Sequence, residues 1–423
     1  MKKGILSRLI IDEILISLRN DTYNFDHLFE IKIKNKKITL SDKKLIQNVV
    51  FCSMRNFFSI NRIIKLYVKK LDYKSDNYFL LLSAISQLIF LDFKEYAVVN
   101  STVEIAKSKK KANSKFINSV LRNIVTDKNK IKINNDNLGD LPNWFLKKIV
   151  KWSNEKKLTF IKTIKKKPSL NIVFKSIDDL KKSGIIGQNT SETSMIPVHA
   201  SEVNKINGYN EGYWWVQDLS VMLPIYLLEN INNKYIADMC AAPGGKTFQL
   251  LAKKARVDSY EINPKKFSIM KENLKRLNYN QKIILKDSLK IDNNTYNIAV
   301  LDAPCSSVGT IRRNPEIFYR NSSPNFDKIT TLQTNLLEKA KNIIMSKGYI
   351  IYMVCSFLSE EGEEQINKFL NRNKNFKLEK FKTNNDFYSR FITKRGFIHI
   401  LPQNINEETL IDGFFAAKIK RDA

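Results

Sequence analysis

From Gly4 to about Val125 the apolar residues recur every three or four positions, in stretches such as LSRLIIDEILISL and LIQNVVFCSMRNFFSINRIIKLYV. That spacing lays an apolar stripe along each of several helices and leaves few strand signals, so an all-α bundle is expected over residues 1–126. The stretch NYFLLLSAISQLIFL, Asn77 to Leu91, carries no formal charge. It is shorter than the roughly 18 to 20 apolar residues of a membrane span and contains Ser83, Ser86 and Gln87, so it reads as a buried helix. The polar, aperiodic TDKNKIKINNDNLGD marks a linker at 127–140. A helical segment, PNWFLKKIVKWSNEKK, and the strand-like SLNIVFKS then give a small α+β connector over 141–205.

Over 206–423 the pattern changes. Short apolar runs, KYIADM, RVDSYEI, KIILKD, NIAVLDAP and GYIIYMVCS, alternate with amphipathic stretches such as PKKFSIMKENLKRLN and KITTLQTNLLEKAKNIIM. Such alternation predicts a parallel, doubly wound α/β sheet. Two last strands, in RGFIHILPQ and DGFFAAKIKR, pair most simply as a hairpin on one edge. No internal repeat is visible.

Charge changes the picture next. The chain has 71 Lys and Arg against 42 Asp and Glu, a net charge of +29. A field of that size attracts a polyanion, which makes nucleic acid the leading partner class, with a plain solvated surface as the competing reading of the lysines. The four cysteines, Cys52, Cys240, Cys305 and Cys355, are too scattered for a disulfide framework. Three histidines leave little material for a zinc site or a histidine triad, and no metal is expected. In the opening MKKGILSRLIIDEILISL, Arg8, Asp12 and Glu13 interrupt what an export signal would keep apolar. A cytoplasmic monomer with no membrane and no obligate protein partner is expected.

The candidate chemistry gathers at the strand ends. DMCAAPGGKT, 238–247, finishes like a phosphate-gripping loop, but the first glycine of that motif would fall on Cys240. What remains is strand, a tight small-residue turn, then helix, the place where a cofactor approaches the backbone of a doubly wound fold. Glu261 ends the second strand about 20 residues on, where such folds place an acid for ribose hydroxyls. Asp287 and Asp302 end the next two strands. Cys305, in DAPCS, and Cys355, in YMVCS, fall at the same sheet edge. A thiolate nucleophile needs such a polar, partly open setting, although the sequence alone does not tell the two cysteines apart.

Together DMCAAPGGKT, DAPCS and VCSFLSEEGEEQI resemble the motifs of S-adenosylmethionine-dependent RNA cytosine-C5 methyltransferases. YAVVNSTVEIAKSKKKANSKFINSVLRNI resembles a NusB-like RNA-binding domain, and the combination is similar to the bacterial RsmB (Sun) family, which modifies small-subunit (16S) ribosomal RNA. VQDLSVM, IRRNPE and the closing ILPQ and DGFFAAK extend the resemblance over essentially the whole chain. It implies a multidomain fold: an all-α NusB-like bundle, a small α+β connector and an α/β Rossmann-like methyltransferase domain. It implies Cys355 as the nucleophile that adds to C6 of a cytosine, Cys305 as an aid to product release, and Asp302 as a hydrogen-bond partner of the ring. For S-adenosylmethionine it implies Cys240, Ala241, Ala242, Pro243, Gly244, Gly245 and Lys246, with Glu261 on the ribose, Asp287 near the adenine and Asp302 shared. Glu261 stands where aspartate is commoner, and Ser306-Ser307-Val308-Gly309 where many relatives have Ser-Gly-Thr-Gly. On charge, Lys109, Lys110, Lys111, Lys115, Arg312 and Arg313 are the candidates for the RNA backbone, the two arginines because they follow the Cys305 loop. The alternative readings are a non-catalytic RNA-binding adaptor and a methyltransferase acting on another RNA.

Overall fold

The structure is a computed structural model that describes residues 4–20, 23–131, 136–198, 202–292, 296–404 and 409–422. The chain forms two compact units, Met1–Lys167 with Ile311–Pro324, and Pro168–Thr310 with Asn325–Ala423.

The first unit is helical: α1 (Ile5–Asn20), α2 (Phe25–Ile33), α3 (Leu40–Arg55), α4 (Phe57–Tyr67), α5 (Asp76–Ile85), α6 (Glu95–Ser108), α7 (Ser114–Thr126), α8 (Asn143–Lys148) and α9 (Asn154–Lys165). Local sequence sets the starts. Thr39 and Asp42 form a reciprocal capping box on α3, and the Ser75 and Asn113 side chains cap α5 and α7. The apolar stripes meet in one core in which Ile14, Leu18, Val49, Leu81, Ile85 and Leu121 are fully buried. The uncharged stretch from Asn77 is the buried α5 and the wider turn Ser86–Phe90 that follows it.

Residues 311–324 complete this core. The short helix Glu316–Tyr319 places Tyr319 inside it, fully buried, with its hydroxyl donating to the Leu15 carbonyl (3.0 Å). Arg19 donates to the Tyr319 carbonyl, Arg55 to that of Arg312 (2.9 Å) and Arg320 to that of Tyr23 (2.7 Å). Phe318 packs against Trp144 and Phe145.

Of the linker expected at 127–140, residues 132–135 lie outside the described residues; Lys128–Lys130 and Leu138–Asp140 are short 3-10 turns. The connector expected at 141–205 divides between the units, α8 and α9 going to the first, and its strands with the short helix Ile177–Ser183 to the second. The buried Asp140 explains the division, because it accepts from Arg62 of α4 (3.2 Å) and Lys165 of α9 (2.8 Å) and so fastens this stretch to the bundle.

In the second unit, β1 (Ile172–Phe174), β2 (Gly187–Ser191), β3 (Ser194–Pro197) and β4 (Trp214–Val216) form an antiparallel sheet in the order β2-β3-β1-β4. The main sheet contains β5 (Tyr235–Met239), β6 (Arg256–Glu261), β7 (Ile283–Leu285), β8 (Tyr296–Asp302), β9 (Ile344–Val354) and β10 (Phe376–Glu379). After β11 (Ile398–Ile400) and the small pair β12 (Gln403–Asn404) and β13 (Leu410–Ile411), β14 (Phe414–Arg421) returns to it. The order is β10-β14-β9-β8-β5-β6-β7, and β5 to β9 run parallel. The five apolar runs of the sequence are these five strands. The connection from β5 runs outward to β6 and that from β8 outward to β9, in opposite directions, which makes the ends of β5 and β8 the switch point where doubly wound sheets bind ligands.

One expectation fails. β11 does pair antiparallel with β14, but β14 is not an edge strand; it lies between β9 and β10. Phe414, Phe415, Ala416 and Ala417 are all buried, the mark of a strand covered on both faces rather than of an outer one.

Candidate active site

The turn after β5 is built from backbone that few residues adopt. Cys240 has φ +67° and Gly244 φ +113°, and Ala242–Pro243 is cis. A Cβ on Gly244 would run into the Phe248 ring, so glycine is required there on two counts. Helix Gly245–Ala252 starts at once, and its buried Thr247 hydroxyl donates to Asp238 at 2.5 Å. That buried bond locks the strand to the helix across the turn.

Glu261, at the end of β6 and 5% exposed, accepts from the Ala242 (3.3 Å) and Asn263 (2.8 Å) backbone N–H groups. Its oxygens keep lone pairs that face a cavity of about 570 Å³. The cavity wall also includes Cys240, Ala242, Asp287, Asp302, Cys305 and Cys355. The strand ends thus bring seven of the expected site residues to one space. Ala241, Pro243, Gly244 and Gly245 shape the turn behind it.

Lys246 is 7% exposed and forms an ion pair with Asp302 at 2.5 Å. Burial works against its charge, but Asp302 and then Cys355 outweigh it and raise its proton affinity. Lys246 therefore stands as the fixed cation beside the Asp302 carboxylate and the Cys355 sulfur, rather than on the wall of the cofactor cavity. The thiols are held protonated. Burial pushes Cys305 up to about 12, with Glu361 and Asp302 adding to the effect, and burial followed by Asp302 does the same for Cys240. Cys355 is also raised well above the ordinary thiol range, by burial, Asp302 and Cys305, with Lys246 opposing. A nucleophilic thiolate here needs added positive charge or a base.

Sequence reasoning missed Glu361, which is fully buried and ties the two cysteine loops together. Its signal was faint, one acid among four in SEEGEE. It also missed the apolar Ile262, 63% exposed, and Leu289, which line the cavity beside Asn263 and Lys266.

Two candidates for RNA contact are corrected. Arg312 is 0% exposed, with its backbone held by Arg55 inside the helical unit, and so presents no guanidinium to an outside phosphate. Lys109 bridges Asp12 and Asp76 (3.0 Å), a tie between α1, α5 and the end of α6. Burial raises the Asp12 carboxyl to about 6 even against that cation, so the lysine is committed to a buried acid. Lys110, Lys111 and Lys115 are exposed, and Arg313 is half-buried.

This geometry coincides with matches to known proteins. The family described as 16S rRNA methyltransferase RsmB/F matches residues 225–420, and the NusB family matches residues 7–126. Ribosomal RNA small subunit methyltransferase B of Photorhabdus laumondii is 32% identical over 371 residues, 82% of this chain and 86% of that protein. The chain belongs to the RsmB family. The methyltransferase B of Escherichia coli O1:K1 is 29% identical, with 80% of this chain and 84% of that protein covered. Among solved structures, PH0851 matches 100% of this chain and 99% of its own with TM-score 0.73 at 20% identity. NSun6 from Pyrococcus horikoshii matches 67% and 98% with TM-score 0.56 at 17% identity. At those identities the two structures support the fold.

As an RsmB-family member the chain is an S-adenosylmethionine-dependent ribosomal RNA methyltransferase with a NusB-like helical unit and a Rossmann-like catalytic unit. The cavity fits that cofactor. Its volume lies within the range of small-ligand pockets, Glu261 offers acceptors for a ribose diol, and Asp302 offers negative charge to a sulfonium. Ile262 and Leu289 offer apolar surface near Asp287 for a purine. Among the described residues no helix is long and apolar enough to cross a membrane.

Proposed function

We propose that this chain methylates C5 of a specific cytosine in small-subunit ribosomal RNA through a covalent adduct between Cys355 and C6. The observation that carries the reading is that Asp302, Cys305 and Cys355 line one cavity together with the ribose-type acceptor Glu261. When bound, the cofactor supplies an electrophilic methyl group.

Cytosine C5 is too weak a nucleophile to take that methyl group unaided. The Cys355 sulfur forms a bond to C6, and the electron pair of the C5–C6 double bond becomes available at C5. Asp302, steadied by Lys246, hydrogen-bonds the ring as N3 takes up the proton that the Cys355 thiol gives up on bonding to C6. After transfer, loss of the C5 proton restores the C5–C6 double bond and expels the Cys355 sulfur as thiolate, a step that Cys305 assists. The raised proton affinity of Cys355 makes it a reluctant thiolate in the ligand-free protein, and Lys246 is the group on this chain that offsets that. The base itself must be unstacked, so the RNA presents it in a loop or another open site. Lys110, Lys111, Lys115 and the half-buried Arg313 remain the candidates for its backbone.

The test is methyl transfer from labelled S-adenosylmethionine to unmodified small-subunit ribosomal RNA, run beside Cys355→Ala and Cys305→Ala with a denaturing gel for protein–RNA adducts. Transfer by the wild type, none by Cys355→Ala and a persistent adduct with Cys305→Ala are expected. Near-normal turnover by Cys355→Ala would overturn the assignment. Cofactor binding without transfer to this RNA would point to another RNA, and absence of cofactor binding to an adaptor.

A further inference from the structure

Cys305 and Cys355 stand in different loops, and one buried side chain is bonded to both. The Glu361 carboxylate accepts from the Ser306 backbone N–H (2.8 Å) and hydroxyl (2.5 Å), from the Ser356 hydroxyl (2.6 Å) and from Gln333 (3.2 Å). Ser306 directly follows Cys305, and Ser356 directly follows Cys355. Gln333 in turn donates to the Pro304 carbonyl (3.0 Å), and the Glu361 carbonyl accepts from the buried Tyr352 hydroxyl (2.6 Å). Among the described residues no cation pairs with this carboxylate, so hydrogen-bond dipoles alone satisfy it. A buried acid is costly to keep without a cation, which a purely mechanical clasp would not require.

We propose that Glu361 is a positioning residue for Cys305: it ties the two cysteine loops into one geometry and sets a negative charge behind Cys305, preparing that sulfur to take the C5 proton as its own proton passes to the departing Cys355 sulfur during product release. The inference rests on the reaction proposed above. The groups facing Cys305 agree with it. Beyond burial, Glu361 and Asp302 favour the protonated Cys305 sulfur, Ser307 opposes, and the Lys246 cation acts on Cys355 instead. A thiol in that setting is a poor competing nucleophile, and its thiolate is a strong proton acceptor. The two sulfurs can then share one cavity without exchanging roles.

The test uses the full chain without ligands. Alkylation of Cys305 and Cys355 by iodoacetamide is followed against pH by peptide mass spectrometry, in the wild type, Glu361→Gln and Glu361→Asp. Removing the charge should move the Cys305 profile to lower pH and raise its alkylation rate at fixed pH by about tenfold, the change that corresponds to one unit of proton affinity. Cys355 should change much less, and Glu361→Asp, which keeps the charge but withdraws it, should fall between. In the transfer assay Glu361→Gln should lower kcat with little change in KM for RNA and let the adduct accumulate, and Glu361→Asp should restore part of the rate.

A folded Glu361→Gln whose Cys305 profile is unmoved, or in which both cysteines shift alike, would overturn the proposal. Should Glu361→Gln not fold, an unmoved Cys305 profile in Glu361→Asp would overturn it equally. A wild type that transfers no methyl group to any RNA would overturn the proposed reaction instead. The alkylation result judges Glu361 separately from that failure.

Discussion

The two cysteines of the cavity are held by different means. Cys355 follows β9 directly, and β9 is paired on both sides, parallel to β8 and antiparallel to β14, with Val354 itself in register with Phe415. Cys305 lies three residues past the end of β8, in a stretch with no strand, and its chain enters the helical unit at Ile311. Its loop is fixed by single residues: Glu361 on Ser306, Gln333 on Pro304, and the bond from Gly309 N–H to the Cys355 carbonyl (3.0 Å). A ladder spreads its load over many backbone bonds, so one substitution changes it little. Point ties concentrate the load, so the Cys305 side should be the one that single mutations disturb.

The harshest way to break this contrast is Tyr319→Ala. Tyr319 is the fully buried anchor of residues 311–324, and its removal leaves a cavity and takes from the Leu15 carbonyl the hydrogen bond of the tyrosine hydroxyl. A loss of about 3–5 kcal/mol is expected for the helical unit, read from denaturant unfolding. If the segment steadies the loop that precedes it, alkylation of Cys305 should speed up while that of Cys355 stays as in the wild type. Equal changes at both would show that the two loops are one body and that the contrast is false.

What could be read from the sequence divides along the same line. The turn at 240–245, the acid at Glu261 and the five parallel strands were legible because each depends on residues near in the chain: small side chains, a strand end, an alternation of elements. Arg312 was misread as an RNA contact. Its position beside Cys305 in the chain suggests the active site, whereas its burial is decided by Arg55 and the bundle, more than 250 residues away in sequence. Lys109 was misread for the same reason, since nothing local announces that Asp12 is buried opposite it. Glu361 was passed over because its partners at Ser306 and Gln333 come from other elements. The hairpin ending in β14 was seen, but not its neighbour β10, which is a four-residue strand with a polar, half-exposed pattern.

Gly309→Ala should act at both loops at once. A Cβ on Gly309 would run into the carbonyl of Gly413, whose own N–H donates to Gly309 at 2.8 Å, and it would crowd the Cys355 carbonyl. Nothing flexible can move aside, because the opposing atoms are backbone. Overpacking of this kind costs about 1–3 kcal/mol. Here alkylation of both cysteines should rise, since this is the one backbone bond that joins their loops directly among the described residues. A change at Cys305 alone would mean that the ladder holds Cys355 even without it, which would sharpen the contrast.

The mildest test is Ser307→Gly. Ser307 has φ +58°, a left-handed conformation that glycine adopts without strain. Relief of that strain, worth roughly 1–2 kcal/mol for a residue with a Cβ, is set against the roughly 0.5–1 kcal/mol that glycine loses in ordering, so a net gain of about 0 to 1.5 kcal/mol is expected for the catalytic unit. The hydroxyl lies 3.9 Å from the Cys305 sulfur and is one of the few groups that favour its thiolate. Its removal should therefore slow Cys305 alkylation slightly and leave Cys355 unchanged. The substitution would then stabilise the loop and quiet its sulfur together, two small effects of opposite consequence for turnover. A net destabilisation would instead mean that the Ser307 side chain does more to hold the Cys305 loop than its strained backbone does to loosen it.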